Sequence, residues 1–343
     1  MLVDPTARRT TAREVRAVGR RGAPGGAWWI PASLLLLALA LVLGVMIGPA
    51  GNWGAADWNI VWNVRMPRVV LAGIVGSMLS LAGASYQGVF RNPLVDPYLL
   101  GVAAGAGLGA TIVFAVGRAS TTTWVIDPLP LAAFVGGLLA VLLTYLVGAS
   151  FGAHRNGVTL VLAGVAVTSL ATAIQAFVLQ RNSEVIREVY SWILGRLTLA
   201  NWGDVRLVLP YVVVASVVLL VHRRHLDVLR VGDDEAASLG TQVSRVRLVV
   251  VLAATMGTAA VVSVSGLIGF VGIVVPHLIR LLAGASYRRL LPLSLIVGAA
   301  FLILADIPGR VLQDPAETPI GVVTAFFGAP FFILVLRARG RSS

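Results

Sequence analysis

The chain has 343 residues, 57% hydrophobic and only 12% charged, with a formal net charge of +12. A soluble domain carries about 25% charged residues, so a soluble globule is excluded. All 27 basic residues are Arg, which removes the Walker A lysine, and the absence of Cys removes disulfides, Cys-ligated zinc, iron–sulfur clusters and thiol catalysis. The arginines gather between apolar runs instead of along one face, which suits topology signals and not nucleic-acid binding.

In chain order, residues 1–29 form an Arg-rich arm (Arg8, Arg9, Arg13, Arg16, Arg20 and Arg21) without apolar periodicity. It reads as a cytosolic arm that fixes orientation by its charge, with anionic-lipid binding as the alternative. Ile30–Ile47 resembles a signal-peptide core but is longer and is followed by further apolar runs, so it reads as a retained first helix. Further spans are expected at 62–84, 97–117, 131–150, 158–179, 205–222, 247–265, 268–284, 290–306 and 319–337, each near the roughly 20 residues a membrane helix needs. The fold class is therefore all-α, a polytopic membrane protein with ten transmembrane helices in one domain over 30–337 and a short tail at 338–343. With both termini cytosolic, 19 Arg fall inside and eight outside, as the positive-inside rule requires.

The count of ten depends on one division. Leu248–Ile279 is uncharged over 32 residues and would extend about 48 Å as one helix, well beyond a hydrocarbon core of roughly 30 Å. Gly266, Gly269 and Gly272 offer a turn inside it. One unbroken long helix is the alternative.

Catalytic chemistry is thin. His154, His222, His225 and His277 pair with no carboxylate at metal-ligand spacing, and His222 and His225, among Arg223 and Arg224, read as a helix end meeting water. No catalytic or metal site is expected and the chain reads as no enzyme. Gly101, Gly105 and Gly109, and Gly76, Ser80 and Ala84, form small-residue stripes that let helices approach closely. Thr168, Thr172 and Gln175 share one face of the fifth span; polar groups at that depth need partners or water, so this face either bonds to neighbouring helices or lines a translocation path.

Between the sixth and seventh spans, Asp233 is placed to cap a short helix, with Asp234 and Glu235 in its first turn. Gly240 is placed to close it in the left-handed conformation. Ala236, Ala237 and Leu239, with Ser238 among them, would offer contacts to a cytosolic partner. Arg65, Arg68 and Arg310 lie in outer segments, where positive charge runs against the topology bias.

Arg65-Met66-Pro67-Arg68, Gln87–Pro97, Gly101, Gly266–Gly272, Pro276–Arg280, Ala305-Asp306 and Glu317–Gly321 together resemble the FecCD-type permease family. The resemblance runs from about residue 30 to the end. It implies a type II ABC importer permease for an iron chelate (ferric siderophore or haem), with vitamin B12 or another corrinoid as the alternative. It also implies a second permease copy, most simply as a homodimer, a cytosolic ABC ATPase dimer, an extracytoplasmic substrate-binding protein, and multi-pass placement among the lipids of a bacterial inner membrane. No cofactor is expected in this chain, because ATP and magnesium would sit on the separate ATPase. The coupling helices map to about 227–246, centred on Asp233–Gly240, and binding-protein docking maps to Arg65, Arg68 and Arg310. The fifth helix maps to the path. An ATP-independent channel or secondary carrier is the competing reading, disfavoured because no Asp or Glu lies deep in a span. An intramembrane hydrolase lacks a catalytic set.

Overall fold

A computed structural model describes residues 28–48, 58–117, 127–150, 157–312 and 316–340. Residues 1–27 of the Arg-rich arm, Arg118, His154, Arg155 and the last three residues of the tail lie outside the described residues. The helices are α1 (Trp29–Met46), α2 (Trp58–Val89), α3 (Val102–Gly117), α4 (Pro128–Ser150), α5 (Gly157–Arg181), α6 (Ile186–Ile193), α7 (Trp202–Val221), α8 (Arg223–Leu229), α9 (Asp233–Ser238), α10 (Val243–Ser265), α11 (Val271–Ala283), α12 (Tyr287–Val311) and α13 (Ile320–Gly340). Among the described residues there is no strand.

Seven of these helices, α1, α2, α4, α5, α7, α10 and α12, are long and apolar enough to cross a membrane, while α3, α11 and the apolar stretch Ile320–Val335 are shorter. Each falls where the sequence places a span. The apolar windows of α2, α10 and α12 are 78%, 72% and 56% buried, against 17–33% for α1, α4, α5 and α7. The first three thus form the interior, and the other four surround it and turn apolar faces outward.

Small residues make this packing possible. A Cβ on Gly76 would stand 2.2 Å from the Gly298 carbonyl oxygen, so α2 and α12 touch backbone to backbone. In the same way Gly105 and Gly109 bring α3 against Gly136 and Ala132 of α4. Gly101 does not continue that ladder. It has φ +89 and belongs to the turn before α3.

The long apolar run does divide. α10 ends at Ser265, Gly266 takes φ +69, and Phe270 precedes α11 at φ +67. The helix ends there on the positive φ, and only glycine fits, because a Cβ on residue 266 would lie 2.1 Å from the Trp192 carbonyl oxygen. Other boundaries move for local reasons. α3 starts at 102 and not 97, because Asp96 accepts from the Tyr98 N–H at 2.8 Å and forms a turn. α7 starts early at Trp202 through a capping box between Asn201 and Asp204. α2 begins with a π-helical stretch, Val61–Arg65, which resets the facing of the residues after it.

Candidate functional site

Four charges meet at the end of the bundle where α1 and α12 finish and α2 begins. The Arg68 guanidinium makes a two-pronged contact with Asp306, Nε to Oδ2 at 2.9 Å and Nη2 to Oδ1 at 3.0 Å. Its Nη1 donates to Glu317 at 2.9 Å, and Glu317 also accepts from the Thr198 hydroxyl at 2.8 Å. Arg310 grips Asp306 from the other side through Nε at 2.7 Å and through Nη2. Two Arg and two carboxylates therefore balance, as buried charges must.

Arg310, joined by Arg65, also finishes α1. That helix has no basic residue in its last turn, and its final carbonyls need donors. Arg310 donates to Gly44 and Ile47 at 2.7 and 3.3 Å, and Arg65 donates to Val45 and Met46 at 3.2 and 3.3 Å. Arg65, Arg68 and Arg310 are only 5%, 7% and 1% exposed. Each guanidinium of the three arginines expected to serve docking faces inward here, held by helix-end carbonyls and two carboxylates. Sequence reasoning missed Asp306 and Glu317 as the carboxylates that hold Arg68 and Arg310. The available signal was two acidic residues in the same outer segments as the misplaced arginines.

At the opposite end lies α9. Gly232 at φ +134, and not Asp233, holds the position before this helix, and no side chain caps it. Asp233 is instead drawn back into the bundle, accepting from Arg247 of α10 at 3.1 and 3.3 Å. It also lies 3.5 Å from Arg91, which follows α2. Ala236 is fully buried, so it is not an outer contact. Asp234, Glu235, Ala237, Ser238, Leu239 and Gly240 are exposed, and Gly240 closes the helix at φ +81 as expected. Asp227 extends the attachment by accepting from the Ser286 hydroxyl and the Tyr287 N–H at 2.9 and 2.8 Å, which caps α12. Sequence reasoning placed Asp227 at the start of the expected coupling segment without assigning it this cap.

The polar face of α5 divides. Gln175 is buried and donates to the Thr111 hydroxyl of α3 at 2.9 Å, so it bonds helix to helix. Thr168 is half-buried and Thr172 is exposed. The structure does not gather the three on one open surface.

The description FecCD transport family matches residues 30–338. The chain belongs to that family. It is 42% identical to a cobalamin import system permease protein of Halobacterium salinarum, over 82% of this chain and 74% of that protein. It is 35% identical to a hemin transport system permease protein of Yersinia pestis, over 90% and 96%. A solved ABC transporter in an inward-facing conformation, provisionally of metal-chelate type, superposes with a TM-score of 0.80 at 30% identity, covering 89% of this chain and 98% of that one.

The residues that resemble FecCD permeases lock together in space. Gln87 donates to the Val95 and Gly272 carbonyls at 3.2 and 2.9 Å while its own oxygen accepts from Arg280. The Tyr98 hydroxyl donates to the Ile268 carbonyl at 3.1 Å and accepts from the Ile268 N–H at 3.0 Å. The connection after α2 and the break before α11 therefore satisfy each other's backbone groups, which irregular chain at membrane depth requires.

Proposed function

We propose that this FecCD chain is the membrane-spanning permease subunit of an ATP-binding-cassette importer for a bulky metal chelate, in the first instance a ferric siderophore or haem. The family match across 30–338, on a bundle with seven membrane-length helices, carries this reading. In it the three shorter apolar helices complete ten spans, and both termini lie in the cytosol. An extracytoplasmic binding protein delivers the cargo to a homodimer of this chain, and a separate ATPase dimer binds ATP and magnesium. The exposed side chains of α9, above all Asp234, Glu235 and Leu239, form the ATPase contact. Thr172 faces the cargo's route, with Thr168 beside it, and Gln175 holds α5 to α3. Arg65, Arg68 and Arg310 shape the docking surface from beneath and do not meet the binding protein's carboxylates directly.

A second reading is a corrinoid cargo, favoured by the 42% identity to the archaeal cobalamin permease. The test is ATP-dependent uptake in proteoliposomes holding permease, ATPase and the cognate binding protein, with ferric siderophore, haem and cobalamin as competing cargoes. Uptake of haem or siderophore supports the first reading, and uptake of cobalamin alone supports the second. Equal uptake without ATPase overturns both in favour of a channel.

A further inference from the structure

Beside α9 the structure holds a cavity of about 480 Å³, with Leu239 and Gly240 on its α9 side, whose two histidines and Arg245 the transport reading leaves unused. One wall is the end of α7 and the start of α8, carrying His222 and His225. The other is the start of α10, carrying Gln242, Arg245 and Val249. We infer that this cavity binds the phosphate headgroup of an anionic phospholipid, whose acyl chains lie along the seam between α7 and α10.

The charge of the lining selects an anion. Arg245 supplies a permanent positive charge, and no carboxylate lines the cavity. The His222 and His225 rings lie 5.5 Å apart between centroids, close enough to address one group together. His222 Nδ1 lies 2.8 Å from the Val218 carbonyl, which as an acceptor obliges that nitrogen to carry its proton and turns Nε2 away from it. The first turn of α10 adds backbone N–H groups, since Gln242 forms no side-chain cap there. Arg223 and Arg224 follow His222 directly and raise the local positive potential.

The surroundings select a lipid over a free anion. The cavity sits where two apolar helices end, with Val221 beside His222 and Leu248 and Leu252 just beyond Arg245. Val214 and Val221 on α7 are 53% and 66% exposed, and Leu252 on α10 is 54% exposed. Leu252 follows Val249 by three residues and so continues the α10 face that lines the cavity, and Val214 lies about two turns back from His222 on α7. A polar pocket with a guanidinium and two imidazoles in its walls, above an exposed apolar seam, matches a molecule with an anionic head and hydrocarbon tails. Basic pockets between membrane helices bind such headgroups. The cytosolic placement of this cavity rests on the proposed function, but its chemistry does not, so the two can fail separately.

The test is lipid retention by the full-length permease, purified in detergent from membranes doped with equal phosphatidylglycerol and phosphatidylcholine, and read by native mass spectrometry. Wild type should retain phosphatidylglycerol in preference. Arg245→Gln should lower that retention about fivefold, in line with roughly 1 kcal/mol per basic residue near an anionic surface. His225→Gln should lower it further, and Leu252→Asn should lower it without touching the charges. Millimolar inorganic phosphate should not displace the lipid. Equal retention of both lipids by wild type needs no variant and would overturn the inference. So would unchanged retention in folded Arg245→Gln. Displacement by inorganic phosphate would also overturn it, leaving a soluble-anion site.

Discussion

Arg68 shows how much a residue's chemistry depends on what arrives beside it. With two carboxylates on one guanidinium, its loss leaves Asp306 with Arg310 alone and Glu317 with the Thr198 hydroxyl and no ion pair. Removing one partner of a buried pair costs about 3–5 kcal/mol. Arg68→Ala and Asp306→Ala should therefore lower the unfolding midpoint and the folded yield in detergent, read by fluorescence-detected size exclusion. Arg68→Lys should fall between, since an ammonium cannot reproduce the two-pronged contact. A docking residue would behave otherwise: binding-protein association would slow while folding stayed intact. The sequence made the anomaly of these arginines plain, because charge bias alone marks them out. Their burial was not legible, since Asp306 lies 238 residues and Glu317 lies 249 residues from Arg68, and only the tertiary packing of α2 on α12 brings them together.

At the scale of elements, α9 has an outer and an inner side with different work. Asp234→Arg with Glu235→Arg should uncouple cargo uptake from ATP hydrolysis while the chain keeps its fold, measured as ATP consumed per cargo moved. Asp233 should respond differently, because it faces Arg247 and Arg91. Comparing Asp233→Ala, Arg247→Ala and the double variant should give a coupling energy of about 0.5–3 kcal/mol in stability. The α5 face divides in the same manner. Gln175→Leu should destabilise by about 1–3 kcal/mol through loss of a buried hydrogen bond, whereas Thr172→Leu should leave the unfolding midpoint in place and slow uptake. Periodicity alone placed all three α5 residues on one face. It could not show that α3 covers the end bearing Gln175. The break at Gly266 was legible because length and glycine content both demanded it, whereas the left-handed Phe270 was not, since its backbone follows from packing of its ring over Gly328.

Taken whole, the molecule is an inner trio of helices, α2, α10 and α12, within a surround that turns apolar faces outward. Hydropathy made the spans readable one by one, but it carries no information on which are central, because every span is apolar. The close approach of Gly76 to Gly298 marks the tightest seam of the trio, and Gly76→Val should abolish folded yield where Gly117→Val, near the open end of α3, should not. The ion-pair cluster at the end of that seam has a further consequence, for biogenesis. Arg68 enters the membrane with the second helix to be synthesised, but both its carboxylates belong to the last part of the chain. At synthesis rates of about 5–20 residues per second, the wait is on the order of 12–50 s. During that interval an unpaired guanidinium near the bilayer edge has only headgroups and water to turn to. Nascent chains arrested before α12 should thus be open to membrane proteases, and protection should appear in a pulse-chase only once residues 306–317 have left the ribosome.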